Sequence, residues 1–138
     1  MKSKVFLILL LGNTLFSQSL YIIANKNFPK EQLTKKEIQT IYLDQKRHID
    51  GKKLIPLNFG HDDPLRNSFE KTILQKSRKY LERYWIKAHY KGHRPPKVLK
   101  SKVALLSFIK ELNTAIGYVD GNISDLNDIK ILHQVKLK

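Results

Sequence analysis

Apolar positions fall into short runs and helical stripes that alternate along the chain. Leu20 to Ala24 (LYIIA) is a short apolar run and predicts a buried strand. After a polar connection holding Pro29, the residues Ile38, Ile41 and Tyr42 recur at helical spacing. Thr34 and Glu37 stand before them as the two ends of a capping box, so a helix is expected from Lys35 to about Leu43. Asp50-Gly51 reads as a turn, and Leu54 to Phe59 (LIPLNF) as a second strand, which Pro56 makes an edge or irregular one. Asp63 before Pro64 predicts a helix start, and Phe69, Ile73 and Leu74 carry that helix on. Ser77 predicts the cap of a third helix reaching about Tyr90, stopped by Gly92 and Pro95-Pro96. Ser101 caps a fourth, with Ala104, Leu105, Phe108, Ile109 and Leu112 on one face. Thr114 to Val119 (TAIGYV) predicts a third strand ending in an Asp120-Gly121 turn, Asn122 to Asp128 a loop, and Ile129 to Leu137 a final strand. Strands alternating with helices predict an α/β layer with a partly parallel sheet and about four helices. No repeat, low-complexity stretch or linker divides residues 20–138, so a single domain is expected there.

Met1 to Ser19 stands apart from this pattern. Lys2 and Lys4 form a positive start, Val5 to Leu11 is an apolar run too short to span a bilayer, and Ser17 and Ser19 are small. This layout predicts a secretory signal cleaved near Ser17 to Ser19, and therefore an exported, periplasmic protein. No cysteine follows the apolar run, which excludes a lipoprotein anchor.

Charge changes the picture further. The 138 residues hold 26 Lys+Arg against 12 Asp+Glu, a formal net charge of +14, and no cysteine. The absence of cysteine excludes disulfides, thiolate metal sites and cysteine nucleophiles. The segment Arg78 to Arg94 (RKYLERYWIKAHYKGHR) interleaves basic and aromatic residues. On a helix, Leu81, Tyr84, Trp85 and Ala88 share a core face, while Lys79, Arg83, Lys87 and Lys91 form a ridge at i+4 spacing. Such a ridge reads first as a solvated basic face, and otherwise as a surface for nucleic acid, anionic lipid or lipopolysaccharide; export argues against nucleic acid. His89 and His93 have a metal-compatible spacing, but Gly92 is expected to end the helix between them and no carboxylate adjoins them, so no metal site is assigned. No catalytic triad, paired-carboxylate motif, phosphate-binding glycine loop or dinucleotide fingerprint occurs, so neither an enzyme nor a cofactor is expected.

The densest candidate chemistry is His61-Asp62-Asp63-Pro64-Leu65-Arg66. It lies between a strand and a helix N-terminus, where backbone N–H groups and the helix dipole favour an anion. Asn25 and Lys26 follow the first strand and could face the same crevice, since ligands of open α/β sheets sit beyond the carboxyl ends of strands.

Tyr21-Ile-Ile-Ala-Asn25, Leu33 to Leu43 (LTKKEIQTIYL), Ile55-Pro-Leu-Asn58 leading into Pro64-Leu-Arg66 and Phe69, Tyr84-Trp85 with Gly92 and Pro95-Pro96, and Ala115-Ile-Gly-Tyr-Val119 occur in one order. Together they resemble the phosphate-type solute-binding proteins of ABC importers, and in particular the short members that keep a single lobe. The resemblance covers roughly Leu20 to Asp120. It implies one lobe of the type II periplasmic-binding-protein fold, and a small oxyanion such as phosphate as ligand. Aligned back from Phe69, the arginine of the family's anion motif falls on Arg66. Its serine-glycine-threonine falls on Asp63, Pro64 and Leu65, and an upstream aspartate on His61. The resemblance thus implies backbone donors from Leu65 to Asn67, charge from Arg66, and a tunable charge on His61. A lone lobe leaves the anion hydrated on one side, so an ABC permease or another periplasmic protein is the expected source of the missing wall. The alternative is an interaction or adaptor domain that has lost autonomous capture.

Overall fold

The computed structural model describes residues 18–121 and 126–137. Of the signal expected at 1–19, residues 1–17 lie outside the described residues, whereas Ser19 opens β1 and pairs with Lys136; residues 122–125 of the expected loop also lie outside them. The chain runs β1 (Ser19–Asn25), α1 (Lys35–Tyr42), β2 (His48–Ile49), β3 (Lys52–Lys53), β4 (Ile55–Phe59) and α2 (Pro64–Phe69), which continues as one turn of π-helix (Glu70–Leu74). It ends with α3 (Arg78–His89), β5 (Lys97–Leu99), α4 (Lys102–Glu111), β6 (Ala115–Asp120) and β7 (Ile129–Lys136).

Local chemistry sets the element boundaries. The Thr34 hydroxyl accepts from the Glu37 N–H while the Glu37 carboxylate accepts from the Thr34 N–H, closing the capping box of α1. Ser77 and Ser101 cap α3 and α4 by accepting from the N–H groups of Tyr80 and Ala104. Past α3, Gly92 takes a positive φ of 86°, a conformation that costs a residue without Cβ little. Asp50 and Gly51 both have positive φ and join the short β2–β3 hairpin, as a type I′ turn requires.

The five-stranded sheet has the order β5-β4-β6-β1-β7. β4 runs parallel to both β5 and β6, while β1 runs antiparallel to β6 and to β7. The sheet is therefore mixed, and its parallel part is confined to one side. Gly117 in β6 is a packing requirement: a Cβ there would stand 2.9 Å from a methyl of Leu105 on α4.

An aromatic cluster fills the space beneath β4 and α2. Phe69 stacks on Tyr118 at 4.1 Å with planes 1° apart, and Phe59 meets Tyr118 edge-on at 5.4 Å. Tyr42 tilts against Phe69 at 4.7 Å, and its hydroxyl donates to the Leu57 carbonyl at 2.8 Å. Burial pushes both the Tyr42 and Tyr118 phenols above their ordinary range, so both remain neutral donors.

Candidate functional site

The carboxyl end of β4 leads into the loop 58–63 and then α2. The Asn58 side-chain oxygen accepts from the Phe59 N–H at 3.0 Å and from the buried Tyr118 hydroxyl, which fixes the strand end. Asp63 is the N-cap of α2 and Pro64 its first residue, as the sequence predicts. The Asp63 carboxylate accepts from the Leu65 N–H at 2.8 Å, and the Asp63 carbonyl accepts from the N–H groups of Arg66 and Asn67 at 3.0 and 3.2 Å.

Arg66 lies one helical turn ahead of Glu70, at i,i+4. Its Nε donates to Glu70 Oε2 at 2.8 Å and its Nη1 to the Phe59 carbonyl at 2.9 Å. Arg78, at the start of α3, grips the other oxygen: its Nε donates to Glu70 Oε1 at 2.8 Å. Arg78 also donates to the His61 carbonyl at 2.9 Å and to the Asn67 side-chain oxygen at 2.7 Å. The Glu70 side chain is only 7% exposed. Two guanidiniums therefore close on one buried carboxylate, and in doing so hold the loop against both helices. The cluster of Arg66, Arg78 and Glu70 carries one net positive charge.

Arg66 retains Nη2, which has no acceptor among the described residues. The side chain lines a groove of about 300 Å³ with Asn58, Glu70, Tyr42 and Trp85. The groove opens at the carboxyl end of the parallel strands, where open α/β sheets hold ligands.

Two expectations are corrected. Asn25 does not face this crevice. β1 runs antiparallel to β6, which is parallel to β4, so the end of β1 lies level with the start of β4, at the opposite end of the sheet. That separation is roughly 13 Å along the strands. The Asn25 side chain is 5% exposed and closes the carboxyl end of α4, donating to the carbonyls of Ile109 and Lys110 at 3.0 Å each. Lys26 beside it pairs with Asp128 at 3.3 Å. The second correction concerns the backbone donors. The N–H groups of Leu65, Arg66 and Asn67 all terminate on Asp63, the first on its carboxylate and the other two on its main-chain carbonyl as the opening turn of the helix forms.

The remaining candidates stay at the loop. His61 is exposed and pairs with Asp62 at 3.2 Å. Glu70, Arg78 and Tyr118 are site residues that sequence reasoning missed. The i,i+4 spacing of Arg66 and Glu70 was a usable signal for the first. Arg78 and Tyr118 reach the loop only through the tertiary fold. His93 is turned to the Asp44 carbonyl at 2.8 Å, and among the described residues no group of three or more His, Cys, Asp or Glu could hold a metal.

The fold matches solved structures of phosphate receptors. An ABC-type phosphate transport receptor from Vibrio cholerae superposes with a TM-score of 0.66 at 16% identity, over 85% of this chain and 46% of that one. A phosphate ABC transporter substrate-binding protein from Clostridium perfringens, solved with bound phosphate, gives 0.67 at 15% identity, over 84% and 44%. PstS from Borrelia burgdorferi gives 0.66 at 14%, over 86% and 48%. The chain folds as one lobe of a phosphate-type solute-binding protein. It spans a little under half the length of each of these proteins. No protein-family model and no curated protein sequence matches it. The neighbours are transport-binding proteins, not enzymes, and among the described residues no helix is long and apolar enough to cross a membrane.

Proposed function

We propose that the chain is an exported, periplasmic solute-binding-type module that takes a small oxyanion, phosphate or a group like it, beside Arg66. The observation that carries this reading is the pinned guanidinium. Glu70 and the Phe59 carbonyl fix its orientation, Nη2 is left without a protein acceptor among the described residues, and the Arg66 side chain lines a groove with Asn58 and Glu82 beside the end of β4. Asn67 and His61 flank the same loop and supply polar reach around it. The site is half of a pair of walls. An anion held on one open lobe stays hydrated and screened, so an ABC permease or a second exported protein completes the enclosure.

The fold match supports the solute-binding reading, and the phosphate bound in the Clostridium perfringens structure is a property of that protein. The test is calorimetric titration of the mature protein with phosphate at low and moderate salt, with sulfate as competitor. Saturable binding that survives moderate salt and is lost in Arg66→Ala, while Arg83→Ala retains it, is the expected result. Absence of heat at millimolar phosphate contradicts autonomous capture.

A second reading, an adaptor lobe without ligand capture, is favoured by one observation. Asp63 and Glu70 stand where an external anion would compete, one on the helix N-terminus and one in the arginine forks. That reading predicts no phosphate response with or without a partner.

A further inference from the structure

We propose that the outer face of α3 docks on an anionic lipid surface. The helix buries only Leu81 and Ala88 fully, and Tyr84 and Trp85 partly. The rest of its surface faces outward. Lys79, Arg83 and Lys87 follow one another at i+4, roughly 6 Å apart along the axis, and Lys91 stands in the turn just past the helix. None of the four meets a carboxylate within ion-pair distance among the described residues.

In the midst of these charges lie exposed apolar side chains. Ile86 is 64% exposed, Tyr90 85% and Tyr80 40%, and these are three of the six large hydrophobic residues that stand exposed among the described residues. Ile86 and Tyr90 are themselves at i,i+4 and so adjoin on the helix surface. Beside the ridge a groove of about 460 Å³ is lined by Tyr80, Arg83, Tyr84, Lys87, Lys91 and His93. The Tyr84 hydroxyl donates to the Leu43 carbonyl at 2.7 Å, which fixes one wall. Asp44 near that groove is already held by Arg47 at 3.1 Å and by the Arg94 N–H at 2.9 Å, which leaves Glu82 as the one carboxylate on α3 itself.

The mixture selects the occupant. A soluble polyanion would be served by the cations alone and would leave Ile86 and Tyr90 in water. A bilayer interface meets both needs: phosphodiester headgroups against the basic ridge, and the headgroup–acyl boundary against Ile86, Tyr80 and Tyr90. Basic side chains flanking aromatic and aliphatic ones on one helix face are the arrangement such a surface attracts. This inference is independent of the oxyanion reading, because no residue of the Arg66 cluster takes part.

The test uses the full mature protein with vesicles of phosphatidylcholine alone or mixed with phosphatidylglycerol. Trp85, the chain's single tryptophan, is half-buried and lines a groove with Ile86 and Tyr90 as well as the one beside Arg66, so its emission is read in phosphate-free buffer as a report on that edge of α3. The expected result is co-sedimentation with the phosphatidylglycerol vesicles only, with a blue shift of Trp85 emission. Arg83→Glu with Lys87→Glu lowers the partition at least tenfold or so. Lys36→Glu with Lys136→Glu changes the net charge equally at exposed positions on α1 and β7 and has a much smaller effect. Ile86→Ser with Tyr90→Ser abolishes the blue shift and the binding that persists in moderate salt. Equal losses from the two charge-reversal pairs, or an unshifted Trp85, would overturn the proposal in favour of diffuse net-charge attraction. Displacement from vesicles by millimolar inorganic phosphate would overturn it in favour of a small-anion groove.

Discussion

Two cationic regions lie on neighbouring helices of this lobe, and they are built on opposite principles. Where the start of α2 meets the start of α3, Arg66 and Arg78 are matched by Glu70 and by the carbonyls of Phe59 and His61. Along α3 and the turn after it, Lys79, Arg83, Lys87 and Lys91 have no such partners among the described residues. In the first region each positive charge holds a piece of backbone in place. In the second the charges contribute little to the fold and remain available to something outside it. Positive charge alone therefore does not locate a binding site in this strongly basic chain; what its own carboxylates have already engaged decides which cations are free.

The largest expected effect breaks the first region. Glu70→Ala leaves two partly buried guanidiniums unpaired and lowers unfolding free energy by about 3 kcal/mol, whereas Arg83→Ala or Lys87→Ala changes it by less than about 0.5 kcal/mol. Urea unfolding of the three variants compares them directly, and equal effects would erase the distinction. Next is Tyr118→Phe, which takes a donor from the buried Asn58 oxygen at the base of the loop. A loss of about 1–2 kcal/mol is expected in the same assay, and no loss would show that the loop does not rest on that bond. Asp63→Ala sharpens the comparison from the ligand's side. It removes an N-cap at a cost of about 1 kcal/mol, yet releases the Leu65 N–H and a competing carboxylate. Phosphate affinity is expected to rise roughly two- to fivefold, the range of a helix-terminus charge effect, when measured by titration against the parent protein.

The smallest effect belongs to a carboxylate engaged in the same structural way on α1. The Lys30 ammonium, then the Thr34 N–H, hold the Glu37 carboxyl below its usual range. Because the folded value is depressed, this contribution is present above the ordinary carboxylate pKa and is lost as pH falls through the lowered one. Helix α1 should fray slightly earlier on acidification in Lys30→Ala than in the parent chain, as read by circular dichroism.

Much of this architecture was legible in the sequence because its causes are local. The capping box at Thr34 and Glu37, the Asp63-Pro64 start and the serines at 77 and 101 each set a helix boundary through a bond spanning two or three residues. The apolar runs at β1, β4 and β6 were legible by composition, and β7 by the weak alternation of its apolar positions. β5 did not, since Lys97–Leu99 has too few residues to show a period. The direction of β1 was equally hidden, because an apolar run carries no sign of which neighbour it will pair with or in which sense. That one ambiguity misplaced Asn25 at the wrong end of the sheet. The strand-loop-helix junction at Asp63-Pro64 was legible in the sequence, but the electrostatic state of its loop depends on Glu70 and Arg78, which converge only after α3 folds back.

The most direct test of the oxyanion reading is a phosphate titration followed by the amide chemical shifts of the mature protein. The account predicts perturbations at residues 58–67, at Glu70 and at Arg78, with those of Arg83 to Lys91 unmoved. Shifts confined to Arg83–Lys91, or none at millimolar phosphate, would contradict it.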